Sequence, residues 1–281
     1  MVNAPVSGAR AGRPAIRIDD ASYRYPHSSH PVLAHLSLTA AVGEHIALVG
    51  RSGCGKSTLL RLIAGLAEPV TGTIEVLGHR DPHDRLDGCA MMPQNDLLLP
   101  WLWRGDIVAC GLRNKGVARR EARTRALAVL DQWGLAEWSR SRPDKLSGGM
   151  RQRAALARAL LADKPVLLAD EPLGSLDAIT RADGQRWLRR AVLAAGATLI
   201  LVTHDVEEAL LLSRRVILLG PAGPRPAAAQ GSWPGWFDDD RRREQILADP
   251  RFAAARTAVL EALGDSAEAS AGSGPVPGES R

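Results

Sequence analysis

The sequence is poor in the features of secreted and membrane-embedded proteins. Its three cysteines, Cys54, Cys89 and Cys110, are odd in number and show no C-x-x-C spacing. Such a set argues against a disulfide framework or a structural zinc site and favours a reducing compartment. No run of about 18 uncharged apolar residues is present, although a membrane-spanning helix needs one, and the first residues lack the apolar stretch of a secretory signal. We therefore expect any membrane association to depend on a partner.

Charge and composition restrict the function only weakly. The formal net charge of +5 is spread over many arginines, which suits anionic lipid or phosphate surfaces and suits a soluble basic enzyme equally well. A hydrophobic content of 45% over 281 residues is enough for the core of one large or two small domains. No internal repeat of about 20 to 50 residues is visible, which disfavours solenoids and propellers.

The two ends of the chain differ in composition from its middle. Residues 1–14 are rich in Ala, Gly, Arg and Pro, and residues 265–281 are rich in Ala, Ser, Gly and Pro, so both ends are predicted to be disordered. We place a folded domain at residues 15–220 and a short C-terminal extension at residues 221–264.

Strands and helices are predicted to alternate within the folded domain. Hydrophobic patterns predict strands at residues 16–25, 36–41, 45–49, 166–169, 198–203 and 215–219. They predict helices at residues 56–65, 119–133, 150–161 and 251–263. This alternation implies an α/β fold with a mostly parallel sheet, covered on both faces, and with ligands at the carboxyl ends of its strands.

A glycine-rich turn between a predicted strand and a predicted helix has the spacing of a phosphate-binding loop. The segment GRSGCGKST fits the G-x-x-x-x-G-K-[ST] pattern and comprises Gly50, Arg51, Ser52, Gly53, Cys54, Gly55, Lys56, Ser57 and Thr58. The glycines let backbone N–H groups surround phosphate oxygens, and the helix directs its positive dipole end at them. Lys56 is predicted to reach the β- and γ-phosphates, and the Ser57 hydroxyl to bind Mg²⁺.

Two adjacent carboxylates follow the apolar segment VLLA. Asp170 and Glu171 are placed at a strand end, where the phosphates are expected. Mg²⁺ prefers oxygen ligands and few of them from protein, so Asp170 is predicted to bind it. Glu171 is predicted to polarise the attacking water. In isolation an Asp-Glu pair is more often a solvated loop, but its position after an apolar strand and downstream of the glycine-rich loop favours the catalytic role.

Between these motifs lies LSGGMRQRAALARAL, residues 146–160, and here the chain resembles the ATP-binding cassette (ABC) family. Ser147 suits a helix N-cap, and Gly148 and Gly149 let backbone approach an anion. The resemblance covers about residues 16–220 and implies a P-loop NTPase cassette with an antiparallel β subdomain and an α-helical signature subdomain at about residues 95–160. It also implies a head-to-tail homodimer, in which the signature residues of one subunit close on the ATP held by Lys56 of the other.

Further landmarks of the family match residues of this chain. Gln94 resembles the glutamine that senses Mg²⁺ and the transport partner, and Asp177 the residue that reaches across the dimer. His204 resembles the switch histidine that contacts the γ-phosphate. Tyr25 occupies the place of the aromatic residue that stacks on adenine, with Tyr23 as the alternative.

The stretch QNDLLLPWLWRGDIVACGL, residues 94–112, resembles the nitrate, sulfonate and taurine importer ATPases. The variant MMPQNDLLLPW also resembles a neighbouring group linked to thiamine-precursor pyrimidines, so the substrate stays open between these importers. The resemblance implies a subunit on the cytoplasmic face of the cell membrane, bound to two separate permease chains and served indirectly by a solute-binding protein. Trp101 and Trp103 are candidates for permease contacts or for packing within the helical subdomain.

Two other classes of cassette protein are alternatives to the importer ATPase. Soluble cassette proteins that act on ribosomes or DNA usually carry two cassettes or a long coiled-coil insertion, and neither is present, so no nucleic-acid partner is expected. A noncatalytic dimerisation module is disfavoured because Glu171 and His204 are both present.

Overall fold

The computed structural model describes residues 13–99, 104–138, 141–220 and 227–271. The strands are β1 (Ile16–Tyr23), β2 (Leu33–Ala40), β3 (His45–Val49), β4 (Thr71–Val76), β5 (Cys89–Met92), β6 (Val166–Asp170), β7 (Thr198–Val202), β8 (Arg215–Gly220) and β9 (Ala228–Pro234). The helices are α1 (Lys56–Ile63), α2 (Pro82–Gly88), α3 (Arg104–Asn114), α4 (Arg119–Gln132), α5 (Gly148–Leu161), α6 (Ala178–Ala195), α7 (Val206–Leu212), α8 (Arg243–Leu247) and α9 (Pro250–Ala271).

The larger sheet has the strand order β5-β6-β7-β3-β8-β9. The first five of these strands are parallel, and β9 pairs with β8 in the antiparallel sense. The central strands β3, β6 and β7 are buried at every residue, as expected for parallel strands covered by helices on both faces. This confirms the predicted α/β fold with a mostly parallel sheet.

Two hydrophobic cores lie on opposite faces of this sheet. Along β3, Ala47 and Val49 belong to the core built with α3 to α7, whereas Ile46 and Leu48 belong to the core that contains α1 and the antiparallel strands. This alternation follows from the two-residue period of a strand. It fixes the carboxyl end of β3 between the two layers, where the glycine-rich loop begins.

A smaller antiparallel sheet has the order β2-β1-β4. Ala227, the residue just before β9, connects this sheet to the larger one. Its N–H donates to the carbonyl of Val32, and its carbonyl accepts from the N–H of Ala34. The antiparallel layer is thereby held beside the glycine-rich loop.

Several predicted boundaries differ from the structure. Strand β1 ends at Tyr23 instead of residue 25, and β2 begins at Leu33 instead of residue 36. Helix α9 continues to Ala271 and so passes residue 264, where the predicted extension ended. The remaining residues of the predicted disordered ends, 1–12 and 272–281, lie outside the described residues, as do Trp101 and Trp103.

Among the described residues, no helix combines the length and the apolar character needed to cross a membrane.

Candidate functional site

The glycine-rich loop connects the end of β3 to the start of α1. Gly50 has φ 156°, and a Cβ there would lie 2.3 Å from the carbonyl oxygen of Leu219 on the neighbouring strand β8. Gly55 is the N-cap of α1 and has φ 96°, a conformation that side chains strongly disfavour. Only glycine fits these two positions. With glycine there, the loop can fold so that its backbone N–H groups lie at the start of α1, the positive end of the helix.

Lys56 lies inside this loop and is 8% exposed. Its ammonium donates to the carbonyl oxygens of Gly50 at 2.7 Å and Arg51 at 2.8 Å. The carbonyl oxygens of the glycine-rich loop therefore hold the Lys56 ammonium inside the loop.

The predicted Mg²⁺ residues come together at the ends of β3 and β6. Asp170 is 3% exposed, and burial raises the pKa of its carboxyl, with a further contribution from the negative charge of Glu171. The hydrogen bond from the Ser57 hydroxyl and the charge of Lys56 act in the opposite direction. A paired hydroxyl and carboxylate are the hard oxygen donors that Mg²⁺ prefers. The described residues hold no group of three or more His, Cys, Asp or Glu that could by itself bind a metal ion.

Glu171 is the meeting point of three predicted site residues. Its Oε2 lies 3.5 Å from Nε2 of Gln94 and 3.5 Å from Nδ1 of His204, and it directly follows Asp170. Glu171 also has φ 50°, in the left-handed region that non-glycine residues rarely occupy, and its N–H donates to the carbonyl of Val202. Strained backbone of this kind is concentrated at functional sites.

The signature residues form the exposed start of α5. Ser147 is the N-cap, and its hydroxyl accepts a hydrogen bond from the N–H of Met150 at 3.3 Å. Gly149 packs closely, because a Cβ there would lie 2.9 Å from Leu176. Ser147 and Gly148 are exposed, so the positive end of a 14-residue helix faces outward.

Asp177 caps α6 in this structure. Its carboxylate accepts hydrogen bonds from the N–H groups of Ile179 and Thr180 and from the Thr180 hydroxyl, and these bonds lower its pKa. The carboxylate that is predicted to contact a second subunit is therefore already hydrogen-bonded to residues of its own subunit.

The two tyrosines have different environments. Tyr23 is 9% exposed and belongs to the core, whereas Tyr25 is 36% exposed. The Tyr25 hydroxyl lies 2.8 Å from Oγ1 of Thr58 in the glycine-rich loop. Of the pair, Tyr25 is therefore the one whose ring a ligand of this loop can reach.

Comparison with known proteins shows the family. The sequence model of the family described as ABC transporter matches residues 33–174. The aliphatic sulfonates import ATP-binding protein SsuB of Albidiferax ferrireducens is 45% identical over 224 residues, which cover 78% of this chain and 75% of the relative. The chain belongs to the ABC transporter family.

Further similarities extend this assignment. The taurine import ATP-binding protein TauB of Burkholderia pseudomallei is 41% identical over 232 residues, 82% of this chain and 89% of the relative. The ATP-binding cassette MJ0796, solved as a dimer in a post-hydrolysis state with ADP and Pi, matches with a TM-score of 0.71 and 27% identity, over 78% of this chain and 98% of that one. The present protein is accordingly an ABC ATPase of the importer type, with ATP hydrolysis coupled to transport.

The structure adds a residue that the motifs did not single out. Gln152 on α5 of this ABC ATPase is 8% exposed, and its Nε2 donates to the carbonyl of Glu171 at 2.6 Å. Its Oε1 accepts hydrogen bonds from the N–H of Ser175 at 2.9 Å and from the Ser175 hydroxyl at 2.6 Å. The side-chain amide of Gln152 thus hydrogen-bonds to two residues of the loop that follows β6, Glu171 and Ser175. In sequence it is only a glutamine on a helix, and no local pattern marks these distant partners.

The same helix also holds the segment that follows Gln94. Arg151 pairs with the carboxylate of Asp96 at 2.9 Å, and Arg158 donates to the carbonyls of Asp96 and Leu97. Helix α5 therefore connects the signature to the segments of both Gln94 and Glu171.

We expect Gln152→Ala to lower the ATP turnover number while leaving ATP affinity nearly unchanged. The substitution releases the Glu171 carbonyl and Ser175, and a displacement of about 1 Å of a catalytic group can cost roughly 100-fold in rate. Steady-state phosphate release gives the rate, and titration with a fluorescent ATP analogue gives the affinity. Gln132→Ala, at the end of α4, is the matched control. Parental turnover in Gln152→Ala would contradict the positioning role.

A buried acid, Glu208, follows His204 by four residues in the chain. Glu208 on α7 is 2% exposed, and burial together with the charge of Asp205 raises its pKa from 4.5 to about 7. Hydrogen bonds to the Thr203 and Gln185 side chains partly oppose this rise. Arg181 connects the region to the loop after β6, since it pairs with Asp205 at 3.5 Å and donates to the carbonyl of Leu176.

The raised pKa of Glu208 predicts a specific pH dependence of stability. Its folded-state pKa lies above the unfolded value, so its stabilising contribution is complete below pH 4.5 and is lost as pH rises through about 7. The full shift corresponds to about 3 kcal/mol. We expect the free energy of unfolding of the parent, relative to Glu208→Gln, to fall by about this amount between pH 4.5 and 8, measured by urea denaturation.

Comparing the parent with Glu208→Gln removes the pH dependence of stability that comes from His45, which has the opposite sign. Burial and the charge of Arg214 lower the pKa of His45 to about 4, so neutral His45 destabilises the fold as pH falls from 6.5 toward 4. His45 is present in both proteins and cancels in their difference. A difference in free energy that is flat across this pH range would refute the role of Glu208.

Proposed function

We propose that this chain is the ATP-binding and ATP-hydrolysing subunit of an importer for organic sulfonates such as taurine. The observation that carries the proposal is the convergence of Lys56, Ser57, Asp170 and Glu171 at the carboxyl ends of β3 and β6, where Asp170 is buried and the Ser57 hydroxyl and the charge of Lys56 both act to lower its pKa. In this proposal residues 15–220 form the cassette, and the residues from 221 onward form a C-terminal extension that includes α9 as far as Ala271.

ATP is bound with its phosphates in the glycine-rich loop. The ammonium of Lys56 exchanges its carbonyl partners for the β- and γ-phosphate oxygens, and the ring of Tyr25 stacks on adenine. Ser57, Asp170 and Gln94 would hold Mg²⁺, which would neutralise charge on the phosphate oxygens.

Hydrolysis depends on the group around Glu171. Its carboxylate orients the attacking water and accepts its proton, while His204 contacts the γ-phosphate. The two lie 3.5 Å apart, with Gln94 on the same carboxylate oxygen, so all three reach one reacting centre. Glu171 directly follows the last residue of β6, and its positive φ marks the point where the chain leaves the strand.

A homodimer completes the site. The exposed N-terminus of α5 offers the Ser147 hydroxyl and the backbone of Gly148 and Gly149 to the γ-phosphate of ATP on the facing subunit. Asp177 lies close to the same interface. The dimeric state of the MJ0796 cassette supports this arrangement.

The transport partners follow from the importer type. Two separate permease chains bind the dimer at the cytoplasmic face of the membrane, and a solute-binding protein delivers the substrate. The relatives named above favour sulfonate or taurine over nitrate or a thiamine-precursor pyrimidine. They likewise favour an importer subunit over a soluble non-transport cassette, and no nucleic-acid partner is proposed.

The proposal is tested by uptake into cells that lack the gene for this chain. We expect loss of radiolabelled taurine or alkanesulfonate uptake, restored by the parental gene and not by the Glu171→Gln variant. Uptake of nitrate and of a hydroxymethylpyrimidine, measured in parallel, should be unchanged. Loss of either of these with intact sulfonate uptake would overturn the substrate assignment.

A further inference from the structure

A cleft of about 500 Å³ lies between α6, the end of α7 and the segment around α8. None of its lining residues belongs to the nucleotide site proposed above. The cleft is therefore separate from the nucleotide site, and the apolar and charged side chains that line it suit a second ligand.

The base of the cleft is apolar. Leu211 and Leu212 are buried there, and Ile246 and Trp236 close one side, with the Trp236 ring against Phe252 at 5.1 Å between centroids. Leu193, a large apolar side chain that is 49% exposed, also lines the cleft. Such a surface can cover a short hydrocarbon or ring.

The walls carry an excess of positive charge. Six arginines and three carboxylates line the cleft. Four of the arginines form ion pairs: Arg186 with Asp183, Arg189 with Asp240, Arg241 with Asp239 and Asp249, and Arg243 with Glu207.

The remaining charges determine the preference for a ligand. Arg190 and Arg242 are exposed and form no ion pair within the described ranges. Among the three carboxylates, the same is true of Glu244. Asp239 and Asp240 are already engaged by arginines. The charge available to a ligand is therefore net positive, and it stands beside an apolar base.

A buried polar atom in the wall is also without a partner. Gln185 is 5% exposed, and its Oε1 accepts no hydrogen bond from the described residues. An anion cannot donate to this oxygen, but an ordered water between the two can donate one hydrogen bond to each of them.

From these features we propose that the cleft binds a small amphipathic organic anion. Its charged group pairs with Arg190 and Arg242, and its apolar part lies against Leu193 and Trp236. Alkanesulfonates and alkanecarboxylates share this chemistry. The proposal concerns a second site and does not depend on which substrate is transported.

The test is isothermal titration calorimetry of the full chain with hexanesulfonate and with hexanoate. We expect one site per chain for either anion. Inorganic sulfate, which has only the charge, and hexylammonium, which has only the tail and the opposite charge, should bind at least tenfold more weakly. Equal binding of hexylammonium, or no binding of either organic anion at millimolar concentration, would overturn the proposal.

Variants locate the site. Arg190→Glu combined with Arg242→Glu should weaken hexanesulfonate at least tenfold, and Glu244→Gln should tighten it. Arg120→Glu on the exposed face of α4 is the matched control and should change nothing. Parental ATP hydrolysis in the double variant verifies its fold, and Arg190→Met with Arg242→Met repeats the test with smaller disturbance. Unchanged affinity in both double variants would place the ligand elsewhere, whatever the outcome for the nucleotide site.

Discussion

Glu171→Gln is expected to lower ATP hydrolysis by about 10² to 10⁴-fold, the usual contribution of a positioned general base. Glutamine keeps the shape of the side chain and its contacts with Gln94 and His204, but it removes the negative charge and nearly all of the basicity. ATP binding should therefore survive. Phosphate release measures the rate, and equilibrium binding of a fluorescent ATP analogue measures the affinity.

The same variant tests the composite site. Because bound ATP is no longer cleaved, Glu171→Gln should elute as a dimer with ATP and Mg²⁺ and as a monomer with ADP, by size-exclusion chromatography with light scattering. Adding Ser147→Arg should abolish that dimer by placing bulk and charge at the exposed start of α5. Glu137→Gln, on an exposed residue after α4, is the matched control. Parental turnover in Glu171→Gln, or a dimer indifferent to nucleotide and to Ser147, would contradict the assignment.

Lys56→Ala is expected to damage both binding and hydrolysis. The loop loses the cation held at Gly50 and Arg51, and charge-assisted hydrogen bonds of this kind contribute about 1.5 to 3 kcal/mol each, or roughly 10 to 100-fold in ATP affinity. Loss of a preorganised donor also costs about 10² to 10³-fold in rate.

Two controls make the Lys56 result specific. Lys145→Ala removes an exposed lysine just before the signature and should leave both quantities unchanged. The melting temperature of Lys56→Ala should stay close to that of the parent without nucleotide but should no longer rise when ATP is added, since only a bound ligand stabilises the folded state. ATPase activity equal to that of the parent would remove Lys56 from the site.

The parts of the fold that could be predicted are those with a strong local pattern. β3, β6 and β7 are short apolar runs buried on both faces, and the sequence alone located all three closely. β9 was missed because its residues, AAQGSWP, include glycine, proline and small or polar residues that disfavour strands. β4, TGTIEV, was missed although its Thr, Ile and Val residues favour strands, because it is short and has Gly72 near its start. They are strands because β1 and β8 offer them backbone partners, and this pairing is set by tertiary structure.

The candidate site divides in the same way. Lys56, Asp170 and Glu171 are visible in sequence because their chemistry requires fixed spacing within one strand-to-loop segment. Gln152 and Glu208 are not, because their roles arise from contacts between elements far apart in the chain. Their surroundings exist only when α5, α6 and α7 are packed in the folded protein.

The position of β3 has a consequence for folding during synthesis. The strand that carries the glycine-rich loop lies inside the sheet, yet its two neighbours are β7 and β8, and β7 begins at Thr198, about 150 residues after β3 begins. At roughly 5 to 20 residues per second, the ribosome needs on the order of 10 to 30 s to make that intervening chain. During this interval β3 has neither partner, and its apolar residues are open to chaperones. The glycine-rich loop, although it is near the start of the sequence, therefore obtains its neighbouring strands only after most of the chain has been made.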